Sequence, residues 1–269
     1  MVSNENRLIP KPVRVLECFR DTPEDFTLTL ALPLQHEPGQ FVQLSLFGVG
    51  EAPISIASWG RDELVLHVRE VGNVTRALSQ LRPGDTVFVR GPYGNGYPMA
   101  EARGRNLVLA GGGCGCAPLK GVIEYVLRHR DDYGEMYLFW GFRNAKLVFF
   151  REQLEEWRNL FPVYISLDTL EEGEYPRAQE GFVSDIMSRT EIPKSDTWAF
   201  LCGPPIMMRV VTDVLRRKGL RDDQVFASEE RLMYCAIGQC CHCMIGGKYT
   251  CVDGPVFRWD LLLKETTHV

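Results

Sequence analysis

Leu107-Val108-Leu109-Ala110 runs without a break into Gly111-Gly112-Gly113-Cys114-Gly115-Cys116-Ala117-Pro118, and then into Leu119, Val122, Ile123, Val126 and Leu127 at helical spacing. A short apolar run, a glycine-rich turn and an amphipathic helix make one strand–loop–helix unit. Glycines let a backbone approach a pyrophosphate, and a helix N-terminus favours its charge. Pro118 fits the first helical position, and Arg128, His129 and Arg130 complement the last turn. Taken alone, such a loop reads equally well as a tight turn.

The segments after it give the loop company. A strand is expected over 136–140, a helix over 151–158, a strand over 162–167, a short helix over 184–188, a strand over 197–202 and a helix over 206–218. Alternating strands and helices imply a parallel sheet covered on both faces. Trp140-Gly141-Phe142-Arg143, Asp168 and Cys202-Gly203-Pro204 fall at strand C-terminal ends, where open α/β sheets bind ligands. Arg143 is placed to reach a ribose or phosphate. Cys202 reads either as a polarisable side chain beside a reacting nicotinamide or as a buried apolar residue; the Gly203-Pro204 after it favours the first. Cys114 and Cys116 read as packing.

Upstream, residues 13 to about 97 read as β structure, with strands over 13–16, 26–30, 41–46, 64–68 and 86–89 and a short helix over 75–81. Pro38-Gly39 and Pro83-Gly84 punctuate them, which favours a sandwich or small barrel. Glu51-Ala52-Pro53-Ile54-Ser55 is expected to precede a strand. Thr75, in Gly72-Asn73-Val74-Thr75, stands at a helix start suited to a phosphate. Gly91-Pro92-Tyr93-Gly94-Asn95-Gly96 reads as a turn cluster.

With Lys plus Arg at 30 and Asp plus Glu at 35, the net charge is −5. Nucleic-acid binding needs a broad basic field that such a chain lacks. No apolar stretch approaches the ~18 residues of a membrane span. Met1 to Pro12 is polar and resembles no signal peptide. A cytoplasmic location is expected, where thiols stay reduced.

That location makes the cysteines informative, because five of the nine lie within residues 235–251. Their spacing is Cys235-x4-Cys240-x2-Cys243-x7-Cys251. Zinc sites usually pair cysteines as two C-x2-C knuckles. C-x4-C-x2-C followed by a fourth Cys is instead the plant-type ferredoxin order for a 2Fe–2S cluster. Ala236, Ile237, Gly238 and Gln239 form a small loop able to donate N–H bonds to the sulfurs. Cys241 breaks the count and reads as a spare thiol.

A β-barrel, a glycine loop with Ala117-Pro118, Cys202-Gly203-Pro204 and a C-terminal four-cysteine cluster follow one another in that order. The chain thereby resembles the ferredoxin–NADP reductase superfamily, in the branch with a C-terminal 2Fe–2S tail. That branch holds electron-transfer subunits of dihydroorotate dehydrogenase, anaerobic sulfite reductase and cytosolic nickel–iron (sulf)hydrogenases. The stretches Phe47–Ser55, Val71–Thr75 and Asp253–Phe257 look most like the hydrogenase gamma subunit. In the superfamily an Arg-x-Tyr-Ser motif binds FAD. Here Ala52, Pro53, Ile54 and Ser55 stand in its place, so only the Ser is kept. The resemblance then puts FAD on Ser55, on His67-Val68-Arg69 and on Val74-Thr75, with Arg69 replacing the lost phosphate contact.

The expectation is therefore a FAD-binding β-barrel (1–100), a doubly wound parallel α/β sheet binding NAD(P) (101–225) and a small 2Fe–2S tail (226–269). Ser55 and Cys202 are the expected catalytic positions. Cys235, Cys240, Cys243 and Cys251 are the expected metal ligands. Gly111, Gly112, Gly113, Gly115, Ala117, Pro118, Arg143, Asp168, Gly203 and Pro204 are the expected dinucleotide contacts. A nicotinamide hydride carries two electrons and a 2Fe–2S cluster takes one, so FAD bridges them. Such a chain, with no terminal substrate site in its sequence, is expected to serve the catalytic and iron–sulfur subunits of a hydrogenase or related reductase. Dihydroorotate dehydrogenase and anaerobic sulfite reductase are the alternative complexes. A zinc-stabilised regulatory or assembly protein on a degenerate reductase scaffold is the alternative of another class. Arg143 and Lys146 suit a 2′-phosphate or a solvated surface equally, so NAD and NADP stay undivided.

Overall fold

A computed structural model describes residues 7–60, 62–170, 175 and 177–266. The first half is antiparallel: β1 (Lys11–Arg20), β2 (Asp25–Leu30), β3 (Phe41–Leu46), β4 (Gly50–Ser55), β5 (Leu64–Arg69), a short helix α1 (Asn73–Leu78) and β6 (Thr86–Tyr93). They pair in the order β4-β3-β6-β1-β2-β5. An Ile56–Leu66 bridge brings the two edges together and closes the barrel. Alternating residues fill it, among them Val13, Val15, Leu28, Leu30, Val42, Leu44, Leu64, Leu66, Val87 and Val89.

Two features of this half differ from expectation. Residues 50–55 are themselves a strand; Pro53 is tolerated because β4 is an edge, where a missing N–H breaks no ladder on its outer side. α1 begins two residues earlier than expected and stops at Leu78. Gln80 and Leu81 then turn back through i→i−3 bonds to Ala77 and Leu78.

The second half winds β7 (Asn106–Gly112), α2 (Cys116–Arg128), β8 (Met136–Phe142), α3 (Arg151–Arg158), β9 (Val163–Leu167), β10 (Ala178–Glu180), α4 (Val183–Arg189), β11 (Thr197–Cys202), α5 (Pro205–Arg217) and β12 (Val225–Ser228). After β13 (Met244–Ile245) and β14 (Lys248–Tyr249), the chain returns as β15 (Val256–Arg258) and α6 (Trp259–Thr266). The sheet order is β10-β9-β8-β7-β11-β12-β15, parallel except for β15. Strand order reverses between β7 and β11, so the crevice of a doubly wound sheet opens there.

Pro118 is the third residue of α2, not the first. The opening N–H groups of a helix have no intrahelical acceptor, so Pro fits anywhere in that turn. The sheet also continues past the expected boundary at 225. β12 pairs with β11, β15 pairs with β12, and Trp259 joins the core beneath them. A four-residue buried strand leaves no periodicity to read, so sequence alone does not separate β12 from the cysteine tail. Among the described residues, no helix is long and apolar enough to cross a membrane.

Candidate functional site

Two clefts and a cysteine loop lie next to one another. The first cleft, about 500 Å³, follows the C-terminal ends of β7, β8, β9 and β11 and is lined by Gly112, Gly113, Gly141, Arg143, Ser166, Asp168 and Pro204, among others. The backbone can come this close because the glycines leave no room for more. A Cβ on Gly112 would meet Met207 Sδ at 2.6 Å, and one on Gly115 would meet the Cys202 carbonyl at 2.4 Å.

The second cleft, about 550 Å³, lies between the barrel and the sheet. Ala52, Pro53, Ile54, Ser55, His67, Val68, Arg69 and Thr75 all line it. Cys114, Ala117 and the segment Ser228–Met233 close it from the other side. Arg69 and His67 project from the same face of β5 toward Asp25, which is fully buried. Arg69 holds both Asp25 oxygens, at 2.9 and 3.3 Å, and Cys114 Sγ donates to Oδ1 at 3.0 Å. Burial pushes the Asp25 carboxyl up, but the bonds from Arg69 and Cys114 outweigh it and hold the group below its ordinary value. Arg69 borders both clefts.

Several expected contacts are placed differently. Cys202 is 1% exposed and lines neither cleft. Burial raises its thiol, Glu230 adds to this, and a hydrogen bond with Ser228 partly offsets it. Gly111, Gly115, Gly203 and Pro118 likewise serve the packing beneath the cleft floor; a Cβ on Gly203 would meet Gly112 N at 2.9 Å. Ala117 faces the second cleft rather than the first. Val74 packs on the barrel. Thr75 lines the second cleft, but its hydroxyl serves its own helix: it accepts from the N–H groups of Val71 and Gly72 at 3.0 Å and donates to the Gly72 carbonyl. Arg143 lines the first cleft with its guanidinium 2.6 Å from Glu24. Cys114, read from sequence as packing, is a cleft residue.

Beyond the second cleft, the loop carrying Cys235, Cys240 and Cys243 meets Cys251, which follows the β13–β14 hairpin. Left-handed backbone at Ala236 (φ 60°), Gly238 (φ 76°) and Cys241 (φ 60°) curls it, so that its N–H groups face the sulfurs. Those of Ile237, Gln239 and Cys240 point at Cys235 Sγ from 3.5, 3.3 and 3.4 Å, and that of Gly238 at Cys251 Sγ from 3.2 Å. Cys243 and Cys251 lie with their sulfurs 3.3 Å apart. Tetrahedral ligation at a metal–sulfur length of about 2.3 Å spaces sulfurs about 3.8 Å apart, so a small spreading seats a metal. Soft donors ringed by N–H groups suit an iron–sulfur cluster. Cys241 is exposed, with its thiol 3.3 Å from the Tyr249 hydroxyl.

Sequence reading missed what mounts this loop. Arg90 is buried on β6, and its guanidinium donates to the carbonyls of Tyr234 and Cys235, both at 2.7 Å, and to Glu51. Asn95 bonds Asp253 and Val256, and Gly94 lies against Pro255. Phe41 and Tyr93 share an apolar cluster with Met233, Ala236, Cys243 and Cys251. The only sequence signal was the turn cluster at 91–96, which names no partner.

Comparison with known proteins agrees with this layout. Residues 109–213 match the oxidoreductase NAD-binding domain family, and residues 230–263 match the iron–sulfur cluster binding domain of dihydroorotate dehydrogenase B. The chain is 37% identical to the sulfhydrogenase 1 subunit gamma of Pyrococcus furiosus, covering 96% of this chain and 94% of that protein. It is 36% identical to the sulfhydrogenase 2 subunit gamma of the same organism, over 84% of each. A probable dihydroorotate dehydrogenase B (NAD(+)) electron transfer subunit from P. furiosus is 32% identical, over 87% of this chain and 84% of its own length. Among solved structures, the Amycolatopsis cytochrome P450 reductase GcoB superposes with a TM-score of 0.69 at 28% identity, over 81% of this chain and 69% of that one. A ferredoxin NADP+ reductase from Neisseria gonorrhoeae, solved with FAD and NADP, gives 0.70 at 17% identity, over 83% of this chain and 98% of that one, a likeness of fold.

Proposed function

The chain belongs to the family of sulfhydrogenase gamma subunits and dihydroorotate dehydrogenase B electron-transfer subunits, and on that premise we propose that it carries electrons between NAD(P)(H), FAD and a 2Fe–2S cluster for a hydrogenase or sulfur-reductase complex in the cytoplasm. The observation that carries this order is the sharing of residues. Arg69 borders both clefts, and Phe41 borders the second cleft and packs with Cys243 and Cys251. The second cleft is therefore the middle of three adjoining sites, where a flavin belongs. A flavin held there would supply the link between a two-electron hydride carrier and a one-electron cluster.

This chain's residues do the positioning. Ser55 and the β4 backbone border the ring site, and Arg69, locked by Asp25, places a fixed positive charge between the two clefts. Gly112 and Gly113 admit the pyrophosphate, and Pro204 shapes the nicotinamide end. Cys202, buried at the end of β11, acts as a positioning residue through its hydrogen bond with Ser228. Cys235, Cys240, Cys243 and Cys251 hold the cluster, and the N–H groups of Ile237, Gly238, Gln239 and Cys240 tune it.

The partners we propose are the catalytic and iron–sulfur subunits of the complex. The purified chain should reduce a one-electron dye with NAD(P)H, yet turn over neither hydrogen, sulfite nor dihydroorotate. Turnover of a terminal substrate by the lone chain would overturn the subunit reading.

A further inference from the structure

α2 of the sheet half lies against residues 57–59 of the barrel half, and a buried ion pair joins them. Lys120 and Glu124, one turn apart on α2, pair with each other, their side chains 5% and 11% exposed. Lys120 Nζ also donates to the Ala57 carbonyl at 3.0 Å, and Glu124 Oε2 accepts from the Trp59 N–H at 2.8 Å. Gly121 lets the helix come this close, since a Cβ there would stand 3.3 Å from the Ser58 carbonyl oxygen. The seam continues at Phe150, whose ring centroid lies 5.4 Å from Lys120 Nζ and 5.1 Å from the ring of His67, a flavin-cleft residue. Phe150 holds φ 54°, a left-handed backbone that bulky side chains rarely adopt, so tertiary packing is what keeps it there.

We propose that Lys120 is a positioning residue for hydride transfer: by tying Glu124 to the Ala57 carbonyl it fixes α2, and the glycine loop ahead of it, against the barrel, so that nicotinamide and flavin meet at reacting range. This rests on the reading of the two clefts as the nicotinamide and flavin sites. Both ends of the seam lead to those sites. Ser55 of the second cleft stands just before residues 57–59, and Gly112 and Gly113 of the first stand just before α2. Lys120 itself lines neither cleft, so it acts through the seam. Two domains in one chain move relative to each other unless their interface holds them. A buried ion pair contributes little net stability, because both charges give up their water; fixing one arrangement over others is the role it can serve. In the step it serves, a hydride, two electrons with one proton, leaves the reduced nicotinamide for the flavin. A misplacement of about 1 Å costs such a step about 100-fold in rate.

The flavin- and cluster-loaded chain carrying Lys120→Met and Glu124→Gln together tests this. The two changes leave no unpaired buried charge and keep an acceptor for the Trp59 N–H. Stopped-flow mixing with NAD(P)H separates dinucleotide affinity from the limiting rate of flavin reduction. That rate per bound flavin should fall about tenfold or more, with affinity within about threefold of wild type. Hydrogen exchange over residues 56–60, read without turnover, should quicken in the same protein. Gly121→Ala spreads the seam by a few tenths of an ångström without touching a charge, and alanine favours the helix. It should slow reduction about threefold, and it carries the test if the double variant loads no flavin. A merely structural role would lower melting temperature and flavin content together and leave the rate per bound flavin unchanged. That unchanged rate, or a loss confined to affinity, overturns the proposal. If NAD(P)H does not bind the wild-type chain, the reading of the clefts fails, and this proposal fails with it.

Discussion

Arg90 Nη1 donates to the main-chain carbonyl of Cys235 at 2.7 Å, joining the barrel to the first cluster ligand across 145 positions of sequence. The same guanidinium holds the Tyr234 carbonyl and Glu51. One buried cation thus ties the first ligand to the barrel, beside the contacts of Asn95 and of the Phe41–Tyr93 cluster, so the barrel forms a wall shared by the flavin and cluster sites.

Arg90→Met should leave the Tyr234 and Cys235 carbonyls without this donor and the Glu51 carboxylate with only Ser45. Breaking a buried pair from one side costs about 3 kcal/mol. Thermal unfolding and iron content should fall together, and Arg90→Lys, with one ammonium for a five-donor fork, should recover only part of either. Full iron retention at wild-type stability in Arg90→Met would mean the loop is anchored elsewhere.

Asp25→Asn tests the Arg69 clamp through pH. A carboxyl depressed on folding stabilises the fold above its unfolded value, about 3.9, and that stabilisation is lost as pH falls through the lower folded value. Arg69 is partly exposed, so the variant should lose about 2 kcal/mol at pH 7. The gap between wild type and variant in urea midpoint should begin to narrow below about pH 4 and close as the pH falls past the lower folded value. A gap of the same size at pH 3.5 and pH 7 would contradict the paired carboxylate.

Thr75→Val separates two roles. Its hydroxyl accepts from the N–H groups of Val71 and Gly72 just before α1, so loss should cost about 1 kcal/mol of stability. Thr75→Ser should be near neutral, and flavin affinity should change less than about tenfold in both. A large loss of flavin affinity at unchanged stability would instead make the hydroxyl a ligand contact.

Cys241→Ala should leave the cluster's absorption and EPR signal in place, because that thiol faces Tyr249. Serine at Cys235, Cys240, Cys243 or Cys251 should lower iron content in each case. A cluster lost in Cys241→Ala and kept in one of the four would reassign the ligands.

Sequence reading reached the cluster spacing, the glycine loop and most strands, because each is a local pattern with one physical meaning. It fell short where meaning depends on a distant partner. Arg90 is one basic residue in a strand until Cys235 folds against it. Asp25 looks like a turn acid until Arg69 and Cys114 converge on it. Cys202 looked reactive from its place before Gly203-Pro204, but the Ser228–Glu230 segment lies against it, and the strand β12 that delivers that segment is too short to show a period.

Anaerobic titration of the purified chain with NADH, followed by visible absorption and EPR, tests the central claim most directly. The account predicts about two irons per chain in one 2Fe–2S cluster, one FAD, and reduction of both by NADH without any partner subunit. Stoichiometric zinc without iron, or a cluster that stays oxidised while NADH reduces the flavin, would contradict it.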